Sequence, residues 1–294
     1  MIYKIVHRTT YRYKNPVSVG NHVACLIPRS LSVPHHQSAR SELRIQPRPA
    51  TRTERIDFFG NRLCFFTLQE PHRELVVEAR SEVKIEGNGG PPTKESLSWE
   101  EVAKALPKDD SPDGLEAFQF VFESPRIRMQ AEFAAYALQS FTPERPMKEA
   151  LLDLTARIHR DFRFDSKATN VRTPTEEVFK KRRGVCQDFA HLQIACLRSL
   201  NLAARYVSGY LRTYPPPGQP RLIGADVSHA WVSAYCPGIG WLDLDPTNNV
   251  VPSDGHVTLA WGRDYGDVSP LRGLILGGGA HSLKVAVDME PIES

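Results

Sequence analysis

The 294-residue sequence has only 5 cysteines, at positions 25, 64, 186, 196 and 236, an odd and scattered set. That count argues against a disulfide-packed scaffold and fits free thiols in a reducing cytoplasm. No stretch approaches the roughly 20 apolar residues that a membrane helix needs. The opening Met1-Ile2-Tyr3-Lys4-Ile5-Val6-His7-Arg8 meets charge before an apolar run develops, so a secretory leader is not expected. Neither sign of charge dominates: 37 Lys and Arg against 34 Asp and Glu leave +3, too little to argue for a nucleic-acid partner. There is no internal repeat. Gly277-Gly278-Gly279 lacks a following Lys-Ser or Lys-Thr and reads as a flexible turn, not a phosphate loop.

What is present is an ordinary globular composition, 41% hydrophobic and 24% charged, on a chain long enough for one large domain or two ordinary ones. Residues 1–85 read as all-β. Tyr3, Ile5, His7, Thr9, Tyr11 and Tyr13 alternate with Lys4, Arg8 and Arg12, the period of a strand with one dry face. Leu75 to Ile85 repeats that alternation. Ile56 to Phe66 reads as a hairpin around Gly60-Asn61. A small β-sandwich over residues 1–90 is the expectation. Residues 86–98 have linker composition.

From Trp99 the pattern turns helical, with apolar spacings of three and four over Gln130–Phe141 and Met147–Phe162. Thr173-Pro174-Thr175-Glu176 has the form of a capping box. Cys186 to Leu200 is apolar nearly all round, as buried helices are. Strands return at Ala203–Tyr214, Ser228–Cys236, Trp241–Leu244, Val257–Trp261 and Leu283–Met289, with a Pro-rich loop at 214–226. Helices followed by strands predict an α+β domain over residues 99–294.

Three segments carry chemistry. In Arg183-Gly184-Val185-Cys186-Gln187-Asp188-Phe189-Ala190, a glycine turn feeds Cys186 into a helix N-terminus. The helix dipole and free N–H groups there favour a thiolate and can stabilise an oxyanion. Lys180, Lys181, Arg182 and Arg183 could add a positive field, although such a run is commonly a solvated face. Taken alone, Cys186 also reads as a small buried hydrophobe. The second segment is the strand Ser228-His229-Ala230-Trp231-Val232. The third, Trp241-Leu242-Asp243-Leu244-Asp245-Pro246-Thr247-Asn248, follows the turn Pro237-Gly238-Ile239-Gly240. If Tyr235 pairs with Trp241, His229 is the diagonal neighbour of Asp245 on one face, roughly 7–8 Å away at the backbone. Asp243 has the same parity and competes with Asp245. A thiol, an imidazole and a carboxylate are the parts of nucleophilic acyl transfer.

These segments, with Gly262-Arg263-Asp264-Tyr265-Gly266-Asp267-Val268-Ser269-Pro270 behind them, resemble the transglutaminase-like superfamily, whose core is papain-like. The core resemblance covers about residues 150–250, and the first 85 resemble the β domain that precedes this core in bacterial members. It implies a papain-like core of helices on an antiparallel sheet, preceded by an all-β sandwich. It also implies Cys186 as nucleophile, His229 as base and Asp245 as the orienting acid, since the family's acid precedes Pro-Thr. The superfamily holds protein cross-linkers, proteases, amidases and peptide-glycan hydrolases, and some members have lost the triad.

The expected function is a cysteine hydrolase of amide, peptide or isopeptide bonds. Amine transfer to protein glutamine, or a non-catalytic binding role on the same fold, are the alternatives. Animal transglutaminases use calcium. Here Asp109-Asp110-Ser111-Pro112-Asp113-Gly114 opens like a calcium loop, but Phe120 stands where that loop needs Glu. No metal or cofactor is expected. The expected partner is a protein or peptide substrate, with no nucleic acid and no membrane, and the oligomeric state is left open. Cys186, His191 and Cys196 recur at intervals that do not share a helix face and make no zinc site. His35-His36 is assigned no role.

Overall fold

The computed structural model describes residues 1–31, 36–86, 95–213 and 227–292. Most of the expected linker, the Pro-rich loop at 214–226 and His35 lie outside the described residues. Five strands open the chain: β1 (Ile2–Ala24), β2 (His36–Gln46), β3 (Thr51–Ile56), β4 (Arg62–Leu68) and β5 (His72–Glu86). Four helices follow: α1 (Trp99–Ala105), α2 (Pro112–Phe118), α3 (Ala131–Ala137) and α4 (Met147–Asp161). The short strand β6 (Arg163–Phe164) precedes α5 (Thr175–Lys181), β7 (Arg183–Gly184) and α6 (Cys186–Arg198). The chain then runs through β8 (Ala204–Leu211), β9 (Val227–Cys236), β10 (Gly240–Leu244), β11 (His256–Gly262) and α7 (Tyr265–Val268). It ends in β12 (Leu271–Gly277) and β13 (His281–Ile292). The architecture is α+β.

The long strand β1 organises the first sheet. Its first half pairs antiparallel with β5 on one edge and β13 on the other. Its second half pairs with β4 and β12. The two halves close over a core that includes Val17, Leu26, Leu43, Phe66, Leu75 and Val77. The period-2 reading of β1 holds: Tyr3, Ile5, His7 and Thr9 are buried while Lys4 and Arg8 are exposed.

Three local readings differ. The sequence reading ends the first domain near residue 90, yet hydrogen bonding returns β12 and β13 to its sheet. A partner strand some 270 positions away leaves no local mark on either strand. The hairpin of β3 and β4 closes at Ile56 and Arg62, so five residues rather than two make the turn. Asp57 Oδ1 accepts from the N–H groups of Phe59 and Asn61 at 2.9 and 2.7 Å, which curls the loop before Gly60-Asn61 could form a tight turn. Helix α5 starts at Thr175 with an extended Pro174 before it, and Thr173 Oγ1 accepts from the Asn170 N–H instead of capping the helix.

The second sheet has the order β10-β9-β8-β11, all antiparallel. Helix α6 packs on β8 and β9, with α3, α4 and α5 against its other sides. Its residues Phe189, Leu192, Ile194, Ala195, Cys196 and Leu197 are buried, as the unbroken apolar composition predicts. At about 25 cal/mol per Å², such a helix is held by its burial rather than by its propensity. A third cluster joins the two sheets: Tyr3, Ile5, Val287 and Met289 from the first meet Tyr210, Val257 and Leu259 from the second.

Candidate active site

Cys186 is the first residue of α6, and its backbone N–H therefore has no intrahelical acceptor. It is partly exposed, whereas the other four cysteines are buried. The turn before it depends on Asp188. The Val185 N–H donates to Asp188 Oδ2 at 2.8 Å, and the Thr169 hydroxyl donates to the same oxygen at 2.6 Å. Burial pushes the Asp188 carboxyl up, against those hydrogen bonds. Gly184 stands where a Cβ would lie 2.7 Å from Asp188 Oδ2 and 2.9 Å from its Cβ. The Gly-Val-Cys-Gln-Asp pattern is thus one unit, in which glycine admits the carboxylate and the carboxylate seats the cysteine.

His229 lies near the start of β9 and Asp245 just beyond β10. Tyr235 pairs with Trp241, the register expected from the turn. His229 Nε2 donates to Asp245 Oδ2 at 2.7 Å. Asp243, the competing carboxylate, accepts from Trp231 Nε1 at 3.1 Å instead. Gly209, opposite His229, leaves room for the Trp231 ring, which a Cβ there would meet at 2.3 Å.

Asp245 is fully buried and surrounded by donors. Its Oδ1 accepts from the backbone N–H groups of Thr247 and Asn248 at 2.9 and 3.2 Å. Its Oδ2 accepts from Asn248 Nδ2 at 2.7 Å and from His256 Nε2 at 3.3 Å, besides His229. The Asp-Pro-Thr-Asn sequence explains this: Pro246 stops the strand and turns the next two amides back onto the carboxylate. The Thr247 carbonyl is anchored in turn by His159 Nδ1 of α4 at 2.9 Å.

The charges follow from these contacts. Burial raises the Asp245 carboxyl, but the hydrogen bonds from His229 and His256 outweigh it and hold the group far below the usual carboxylate range. Burial disfavours imidazolium at His229, yet hydrogen bonds to Asp245 and Cys186 push its pKa up to about 10. Nε2 is engaged with Asp245, which leaves Nδ1 for the thiol. Cys186 and His229 line one cleft, and Asp245 holds the imidazole from behind. His229, Asp245 and His256 also offer ligand atoms within 4.8 Å of one another, the place where a metal could sit. Both imidazoles already hydrogen-bond the carboxylate directly.

Three residues of the basic run 180–183 have partners other than the thiol. Lys181 pairs with Glu177, Arg182 stacks 4.4 Å over the Phe179 ring, and Arg183 lies 3.8 Å from Asp165. His191 is a packing residue whose Nε2 accepts from the Tyr265 N–H at 3.1 Å. Trp231 and Trp241 line a separate cavity of about 290 Å³ rather than the space at the thiol. Sequence reasoning missed His256. It reaches Asp245 from β11, the strand at the opposite sheet edge from β10, and only its position next to a strand start marked it.

The papain-like α+β architecture, with a thiol at a helix N-terminus facing His and Asp on a sheet, defines the class of protein. A family model described as the bacterial transglutaminase-like N-terminal region matches residues 3–84, and one described as the transglutaminase-like superfamily matches residues 134–246. The uncharacterized protein Rv2569c of Mycobacterium tuberculosis is 39% identical over 303 residues, covering 99% of this chain and 93% of its own. A Protein-glutamine gamma-glutamyltransferase of Pseudomonas aeruginosa is 34% identical over 97 residues, covering 32% of this chain and 14% of its own. The crystal structure described as a putative cysteine protease from Cytophaga hutchinsonii superposes with a TM-score of 0.75 at 22% identity, covering 100% of this chain and 92% of that one. The chain belongs to the transglutaminase-like superfamily.

Proposed function

We propose that the protein is a cysteine-nucleophile enzyme that cleaves amide, peptide or isopeptide bonds through a thioester. The observation that carries this is Cys186 at a helix start in one cleft with His229, whose imidazole the buried carboxylate of Asp245 holds 2.7 Å away. Cys186 Sγ attacks the carbonyl carbon as a thiolate. The N–H at the start of α6 is one donor to the oxyanion. His229 passes its proton to the departing amine as the C–N bond breaks, leaving an acyl thioester and neutral imidazole. Water then attacks the thioester, His229 takes its proton, and the carboxylic acid leaves as the thiolate is restored. Asp245 keeps the ring nitrogen facing the thiol throughout.

Amine transfer is the second reading, favoured by the glutamyltransferase that matches part of this chain. There a primary amine replaces water and a new amide forms. Incubation with a glutamine-containing peptide and a primary amine, read by mass, separates the two. Loss of ammonia with a carboxylate product, or cleavage of the peptide, supports the hydrolase. A dominant amine adduct reverses the ranking. The absence of any product, with a Cys186→Ala protein indistinguishable from wild type in every assay, supports the binding-protein alternative.

No helix among the described residues is long and apolar enough to cross a membrane. The five free thiols support a reducing, cytoplasmic setting.

A further inference from the structure

The space in front of the thiol is not made by the catalytic core alone. A cleft of about 340 Å³ runs past Cys186 and His229, and its opposite wall is the first sheet. On that wall stand Thr9 and Tyr11 of β1 with Val285 and Leu283 of β13, beside His7 of β1 and Leu271 of β12. The first four are cross-strand pairs on one face, Thr9 with Val285 and Tyr11 with Leu283. The next pair along, His7 with Val287, is buried against the core, where His7 Nδ1 meets the Tyr210 hydroxyl at 3.1 Å.

Burial changes sharply along this one strand. Val287 is 2% exposed, Val285 47% and Leu283 53%. The apolar stripe that joins the two units thus continues past the junction and emerges uncovered over the thiol. Among the described residues lining the cleft, none is Asp, Glu, Lys or Arg. Burial pushes His7 down to about 4, so it brings no charge at neutral pH. The one charged ring on the lining is His229, which is already committed to Asp245, so a charged group entering this space would lose water without gaining a free ionic partner. The volume is at the small end of ligand sites, room for a side chain and its flanking amide rather than a folded surface.

We propose that Tyr11, Leu283 and Val285 form the acyl-side subsite, selecting an acyl donor with a neutral, apolar residue next to the scissile carbonyl. This rests on the enzyme reading above and names its substrate class. The first sheet is then a part of the specificity site, which gives the β domain a role in catalytic selection. The core supplies the thiol and the terminal strands choose what reaches it.

The test uses three electrophiles on the full chain: iodoacetamide, and two peptidyl acyloxymethyl ketones with Leu or Glu next to the reactive carbonyl. Inactivation rates at Cys186 are read by mass spectrometry. The Leu probe should react at least about tenfold faster than the Glu probe. Leu283→Lys with Val285→Lys should remove or invert that preference while the iodoacetamide rate stays unchanged. Leu283→Ser with Val285→Thr, which adds no charge, should narrow it. A reactive thiol that treats both probes alike, or a preference that survives both double variants, overturns the subsite. Inertness of Cys186 to iodoacetamide overturns the enzyme reading itself, and the subsite with it.

Discussion

His256 Nε2 lies 3.3 Å from Asp245 Oδ2, the same oxygen that receives His229 Nε2 at 2.7 Å. The acid of the site is therefore held between two imidazoles. Its charge is shared between orienting the base and binding a second ring from the other edge of the sheet.

His256 acts through Asp245, as a positioning residue. Replacing it with Phe removes one charge-assisted hydrogen bond and frees the carboxylate to rotate. The expected cost is about 1–2 kcal/mol in the acylation barrier, roughly a tenfold loss of kcat with KM little changed. The pH dependence of Cys186 alkylation should shift in His256→Phe. It should be restored more fully by His256→Gln, whose amide can donate to the same oxygen. Unchanged alkylation profiles in both variants would rule this role out.

The raised pKa of His229 sets an alkaline limit. Imidazolium is the acid that protonates the departing amine, so acylation should fall as pH climbs through about 10. In His229→Ala, Cys186 alkylation near pH 6 should slow by about a hundredfold or more. Stability follows the same sign. The fold favours protonated His229, so that contribution is complete below its ordinary value of about 6.5 and is lost as pH rises through about 10. The Asp245 contribution has the opposite sense and is lost in acid. The gap in melting temperature between wild type and Asp245→Asn should accordingly shrink between neutral pH and pH values above about 10, as thermal scans would show.

Gly184→Ala tests the seating of the nucleophile. An added methyl would meet Asp188 Oδ2 at 2.7 Å and force the carboxylate off the Val185 N–H. The expected loss is about 1–3 kcal/mol in urea unfolding, together with a slower Cys186 alkylation rate. Thr169→Val removes one hydrogen bond to Asp188 without the clash, so it should affect stability less.

Tyr210→Phe tests the join between the sheets. It leaves His7 Nδ1 without its hydroxyl partner in a buried setting, at about 1–2 kcal/mol. A double-mutant cycle with His7→Leu should show coupling of about 0.5 kcal/mol or more. Additive effects would mean that the contact does not fasten the two units.

That His229 shares a face with Asp243 and Asp245 was legible because an antiparallel register needs only a turn and an alternation; the choice of Asp245 came from the family resemblance, whose acid precedes Pro-Thr. Pro237-Gly238-Ile239-Gly240 supplied the turn, and Tyr235 with Trp241 supplied the pairing. Helix α6 was legible because burial on every side demands apolar residues at every position. The helix start at Thr175 was misread by one position, because a Pro-containing cap signal suits either residue.

By itself, the sequence determined the α+β class, the buried helix carrying Cys186 and the strands carrying His229 and Asp245. These follow from local periodicity and short connections. The tertiary structure alone decided which groups complete the site. His256 arrives on a different strand, β13 returns to pair with β1, and Leu283 and Val285 come to stand opposite the thiol. Such neighbours are set by how sheets stack and where the chain ends return. Side chains brought together from strands that are not consecutive in the chain leave no periodic trace in either segment.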